Sequence, residues 1–120
     1  MYKFSKRSLD NLYTCDYRII AICNKVIKFR DFSVICGHRG QVAQDAAYRL
    51  GFTTKKWPDS NHNFEPSKAV DIIPCPFRGW SNLNDFRTLQ NFVLGVAFTM
   101  EIPLRCGGIW NDFPHLELIE

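Results

Sequence analysis

Long apolar runs are missing from this chain. No stretch approaches the ~20 residues that crossing a bilayer requires, so membrane insertion is not expected. Signals of cysteine pairing are missing too. The five cysteines (Cys15, Cys23, Cys36, Cys75, Cys106) are odd in number and contain no C-x-x-C pair, which argues against a disulfide framework and against a cysteine zinc cluster. Each is expected to be a small buried hydrophobe in a protein made in a reducing cytosol. The opening residues Met1-Tyr2-Lys3-Phe4-Ser5-Lys6-Arg7 lead into an amphipathic segment rather than an unbroken apolar core, so no signal peptide is expected. Strong charge of one sign is absent: the net charge is +3, with Lys and Arg spread along the chain. No segment interleaves basic and aromatic residues, and a nucleic-acid partner is not expected. Internal repeats, low-complexity tracts and linkers are also lacking. Histidine is scarce, with only His38, His62 and His115.

What is present is enough for one hydrophobic core. The chain has 120 residues, 46% of them hydrophobic, with ten Phe and three Trp, which fits a single packed domain over residues 1–120. Leu9, Leu12, Tyr13, Ile19, Ile20, Cys23, Val26 and Ile27 recur at helical spacing, predicting a long first helix from about Ser8, its N-cap, to Phe29. Phe32–Cys36 is a β-rich run stopped by Gly37. Gln41–Leu50 has a helical pattern, with Gly51 placed as a C-terminal glycine. Residues 52–66 read as a long polar loop, of the kind that is functional or disordered in compact domains. Ala69–Ile73 reads as a strand ended by Pro74. A second apolar helix face runs from Phe86 to Met100, followed by short strands at Leu104–Cys106 and from His115 to Ile119. This order, without repeated βαβ units, predicts an α+β fold: a small, mainly antiparallel sheet packed against helices.

Two segments carry chemistry. Ser60-Asn61-His62 leads to Ala69-Val70-Asp71, and Asp112-Phe113-Pro114-His115 lies near the C-terminal end. Together they offer two imidazoles, a carboxylate set in an apolar run, and a further carboxylate three residues before the last histidine. A catalytic zinc site needs three protein ligands of the His/His/carboxylate kind, with one carboxylate left off the metal to move protons. Asp71 within Ala69-Val70-Asp71-Ile72-Ile73 would carry a heavy desolvation cost unless a cation or a fixed donor such as Arg offset it. A three-histidine site (His38, His62, His115) is an alternative on chemical grounds. Glu117 shares a strand face with His115 and is read as supporting that histidine from behind.

These segments together resemble the zinc-dependent M15-type peptidases, and most closely the small phage endolysin L-alanyl-D-glutamate endopeptidases, which have a Hedgehog/DD-peptidase-like fold. The group's signature is S-x-H-x-x-G-x-A-x-D followed much later by D/E-x-x-H. Here the first part runs from Ser60 to Asp71, two residues longer between His62 and Asp71, with Pro66-Ser67 in place of the glycine. That departure is read as a loop difference. The second part runs from Gly107-Gly108-Ile109-Trp110 to Asp112-Phe113-Pro114-His115-Leu116-Glu117-Leu118 and is similar to the family's G-G-x-W … D-x-P-H-x-E-L ending. Cys36-Gly37-His38-Arg39-Gly40, with Gln44 beyond it, is similar to the family's G-x-R … Q segment.

The resemblance implies Zn²⁺ held by His62, Asp71 and His115, with Asp112 as general base and acid. It implies that Arg39 stabilises the oxyanion or holds a substrate carboxylate, and that Gln44 and Ser60 supply substrate or supporting hydrogen bonds. Trp57 and Trp110 are candidates to line the cleft. The implied substrate is the stem peptide of bacterial peptidoglycan. The protein would be a monomer made in the host bacterial cytoplasm and released to the wall with the help of a holin. Two other readings share these residues: a D,D-carboxypeptidase or dipeptidase, and a non-catalytic virion protein that binds metal or peptidoglycan.

Overall fold

The computed structural model describes residues 1–120. Its centre is one antiparallel sheet of four strands, β1 (Phe32–Cys36), β2 (Ala69–Pro74), β3 (Leu104–Cys106) and β4 (His115–Leu118), in the order β1-β2-β4-β3. Four helices surround it: α1 (Lys6–Leu12), α2 (Tyr17–Val26), α3 (Gln41–Arg49) and α4 (Leu83–Thr99). The α+β architecture expected from the element order is the one observed.

Strand alternation divides the sheet into two chemically different faces. Val34, Val70, Ile72, Leu116 and Leu118 point into an apolar core shared with Leu12, Ile19, Ile22, Cys23 and Val26 from α1 and α2, and with Leu89, Val93 and Ala97 from α4. The residues between them in sequence, Asp71 in β2 and His115 and Glu117 in β4, therefore lie on the opposite face. Register then sets the neighbours. Asp71 pairs directly with His115 across β2 and β4, and Arg105 pairs with Glu117 across β3 and β4. On its other side Asp71 pairs with Cys36, just past an irregularity in β1 between Val34 and Cys36.

The single helix expected from Ser8 to Phe29 is in fact two. Ser5, not Ser8, caps α1 by accepting the Ser8 N–H, while the Ser8 hydroxyl is buried and accepts the Val34 N–H of β1. The chain breaks at 13–16, where the Thr14 hydroxyl donates to the Asn11 carbonyl and Cys15 bridges Ser67. Asp16 then restarts the helix as an N-cap, its carboxylate accepting the Arg18 N–H. Apolar periodicity runs across this break because both helices bury the same side, and Asp16 is the local signal that separates them. The other elements lie within one to three residues of their predicted bounds, α4 beginning three residues ahead of its first apolar face residue, Phe86, and Gly51 takes the left-handed conformation (φ 79°) expected of a residue that ends a helix.

The cysteines follow expectation only in part. All five are free, but only Cys15 and Cys23 are buried; Cys36, Cys75 and Cys106 lie at the margins of packed regions and are partly exposed. Polar partners, rather than greasy surroundings, hold two of these: Cys75 meets the Ser33 hydroxyl and Cys36 lies beside His62.

Leu116 is wholly buried between β2 and β3 on the core face. Leu116→Ala is expected to cost about 2–5 kcal/mol of folding stability, read as a lowered denaturant midpoint with an unchanged slope.

Candidate metal centre

His62 is positioned by a single 3₁₀ turn, Asn61–Asn63, in the middle of the long polar segment. The turn is closed by a reciprocal cap: the Ser60 hydroxyl accepts the His62 N–H, and the Asn63 side-chain carbonyl accepts the Ser60 N–H. The His62 ring is buried, and its Nδ1–H donates to the Gly37 carbonyl at 2.7 Å. A carbonyl cannot donate, so this bond leaves Nε2 facing inward as the free nitrogen. Gly37 can approach so closely because it lacks a side chain: a Cβ there would lie 2.3 Å from the Asn11 carbonyl oxygen and from the Thr14 hydroxyl.

His115 opens β4 and is fixed in the complementary sense. Its Nε2–H donates to Glu117 Oε1 at 2.6 Å, leaving Nδ1 directed at Asp71. The three inward atoms form a nearly equilateral triangle. His62 Nε2 is 3.3 Å from Asp71 Oδ1, His115 Nδ1 is 3.3 Å from the same oxygen, and the two ring nitrogens are 3.3 Å apart. The edge of a tetrahedron with ligands ~2.0–2.1 Å from a central cation is about 3.3–3.4 Å. Two imidazole lone pairs and a carboxylate with that spacing fit one face of a tetrahedral zinc site.

Cys36, His62 and Asp71 also offer ligand atoms within 4.8 Å of one another. The Cys36 sulfur, however, lies 3.9 Å from His62 Nδ1, the nitrogen already committed to Gly37. The tighter set with His115 satisfies the donor directions better. His38 stands apart from both groups: its backbone N–H bonds Thr14, and its ring makes no hydrogen bond to His62 or His115.

Electrostatics follow from this packing. Burial disfavours charge on His62, but the adjoining Asp71 carboxylate, with Cys36 beside it, prevails and raises its pKa to about 10. Burial likewise pushes the Asp71 carboxyl up, and His115 and His62 more than reverse this, holding it well below the usual carboxylate range. Asp112 differs. Its Oδ2 is 3.8 Å from His115 Nδ1 and about half of its side chain reaches solvent. Partial burial, then the negative charge of Asp71, raise its pKa above the ordinary value, the direction that suits a proton carrier. Glycine again makes the approach feasible: a Cβ on Gly107 would lie 2.3 Å from the Asp112 carbonyl oxygen and 2.8 Å from His115 Cβ. Asn111 turns the chain there in the left-handed conformation (φ 68°), and the Asp112 N–H donates to the Gly107 carbonyl.

Arg39 lies in the loop between β1 and α3. Its Nε donates to Gln44 Oε1, while its backbone N–H is held by the His62 carbonyl. Gln44 is wholly buried and bonds Arg39, Asn63 and the Lys55 carbonyl. It can therefore act only through Arg39, not by touching a substrate, and the same holds for Ser60 through His62. Trp110 lies at the rim, its ring 5.8 Å from that of His115; Trp57 has no such contact. Three contributors escape sequence reading: the Gly37 carbonyl, Asn63, and Gln90, which donates to the Phe113 carbonyl and pins the Asp112 loop to α4. Only Asn63, next to His62, had a local signal.

A family model described as phage L-alanyl-D-glutamate peptidase matches residues 1–119. Among solved structures, the chain is similar to the Serratia marcescens L-Ala D-Glu endopeptidase ChiX, with a TM-score of 0.81 and 21% sequence identity, covering 98% of this chain and 90% of that one. At that identity the likeness establishes the fold. No curated protein matches.

The metal-free protein offers a direct check on the pairing. Asp71→Ala removes the main group that outweighs burial at His62, with Cys36 remaining as a smaller one, so the His62 pKa is expected to fall from about 10, as read by NMR titration of the ring protons.

Proposed function

The chain belongs to the phage L-alanyl-D-glutamate peptidase family, and on that footing we propose that it cuts the peptidoglycan stem peptide by zinc-dependent hydrolysis at the His62/Asp71/His115 centre. The observation that carries this reading is the 3.3 Å triangle of two inward-facing ring nitrogens and one carboxylate oxygen, with Asp112 beside it. When bound there, a zinc ion supplies Lewis acidity, lowering the pKa of water toward neutrality and polarising a carbonyl.

The chain's own residues do the rest. Asp112 takes a proton from the attacking water as the new C–O bond forms, then gives it to the departing amine as the C–N bond breaks. The products are a new carboxylate and a new amino terminus. Partial burial and the Asp71 charge make Asp112 a better proton acceptor than an exposed aspartate. Arg39, steadied by Gln44, presents its remaining guanidinium N–H groups to an oxyanion or a substrate carboxylate. The cutting of an L-alanyl–D-glutamate bond follows the family; release of terminal D-Ala is the outcome that a carboxypeptidase would give. Action as a monomer, with holin-assisted access to the wall, belongs to the same proposal. No helix is long and apolar enough to cross a membrane.

The test combines wall digestion with metal analysis. Digested peptidoglycan should show a new free amino terminus on Glu; released D-Ala instead would sink the bond assignment. His62→Ala and His115→Ala are expected to lose both zinc and activity. Asp112→Ala is expected to keep zinc and lose about 10²–10⁴-fold in turnover; full activity in zinc-loaded Asp112→Ala would remove that residue from the mechanism.

A further inference from the structure

Resting on the metal reading above, we propose that Arg105 is a positioning residue: it locks Glu117 so that Glu117 in turn fixes the ring of His115. Arg105 and Glu117 are direct cross-strand partners on the site face of the sheet. Both Arg105 Nε and Nη2 donate to the same oxygen, Glu117 Oε2, at 2.8 and 2.7 Å. The other oxygen, Oε1, is thereby reserved for the His115 Nε2–H at 2.6 Å. Glu117 is nearly enclosed, whereas Arg105 is about half exposed. The guanidinium also lies 5.9 Å from the centre of the Trp110 ring, which flanks His115. Arg105 thus grips the carboxylate behind the imidazole and the indole beside it.

The terminal torsion of a glutamate is broad. Without a fork on Oε2, the carboxylate can turn and exchange its oxygens, and His115 loses its fixed acceptor. Partners behind a metal-binding histidine set its tautomer and ring direction, and their loss typically costs 10–100-fold in metal affinity. Charge alone predicts the reverse. Arg105 is a cation near a cation site, so removing it should favour metal binding. The sign of the change therefore separates positioning from simple electrostatics. Lysine is not equivalent, because a point ammonium cannot reproduce the planar fork. His115 remains bonded to Oε1, so this carboxylate keeps one partner when Arg105 is replaced.

The experiment measures Zn²⁺ affinity of the purified full chain by chelator competition, with circular dichroism confirming the fold. Arg105→Met is expected to weaken zinc binding about tenfold, with Arg105→Lys intermediate. Arg105→Met in a Glu117→Gln background should add no further loss, because the effect passes through Glu117. Unchanged or tighter binding in Arg105→Met overturns the positioning role, as does a fully additive double variant. If Arg105→Met does not fold, Arg105→Lys carries the same comparison. His115→Ala distinguishes the two levels of the argument. Zinc lost there but unaffected in Arg105→Met overturns the positioning role alone. Zinc retained in His115→Ala overturns the metal reading and, with it, this inference.

Discussion

The Asp71 carboxylate, 3.3 Å from each of two imidazoles, is the charge to which the rest of the site is fitted. It stands on a strand whose neighbours Val70 and Ile72 are core residues, so it cannot be relieved by moving the backbone. Its compensation must come from across the sheet and from above it. His115 arrives by register, as the direct partner of Asp71 on β4. His62 arrives by a turn closed by its own cap and tethered to the Gly37 carbonyl. Each ring is committed on its outer nitrogen, to Gly37 or to Glu117, so that its inner nitrogen has a single direction. Fixing the outer nitrogen of a metal-binding histidine is the usual means of orienting it.

The Asp112 side is built differently. Asp112 sits on the loop between β3 and β4, where the backbone must fold tightly onto itself beside His115. Gly107 leaves room for the Asp112 carbonyl, Asn111 supplies the left-handed turn, and Gln90 of α4 anchors Phe113. The centre therefore combines three side chains held on strands and a capped turn with a carboxylate on a pinned loop at the solvent edge. That division suits the roles proposed above: metal ligands require fixed directions, while a proton carrier requires contact with water and substrate.

Much of this was legible in the sequence, for identifiable reasons. Strand alternation at Val70-Asp71-Ile72 and at His115-Leu116-Glu117-Leu118 reveals which residues share a face, and the spacing of Asp112 and His115 marks the second segment. The short distance between Asp71 and His115 is a matter of register, which local pattern does not encode; there the family resemblance supplied the link. Arg105 opposite Glu117 was hidden for the same reason. The split between α1 and α2 was missed because both helices bury one continuous apolar stripe, and only Asp16 marks the restart. Gln44, expected from the resemblance to supply substrate or supporting hydrogen bonds, is completely enclosed by packing, which leaves only the supporting role.

Helix α3 contributes no side chain to the apolar core, and its one buried residue is the polar Gln44. Val42, Tyr48 and Leu50 on and just beyond it are exposed. Helix α3, which begins two residues after Arg39, is therefore largely decoupled from the fold's main source of stability. Substitutions along that outer surface can accumulate with little penalty in folding, since exposed positions away from caps and networks usually change stability by no more than about 0.5 kcal/mol. The architecture separates the residues that must hold the core from an outer helical surface that is free to diversify.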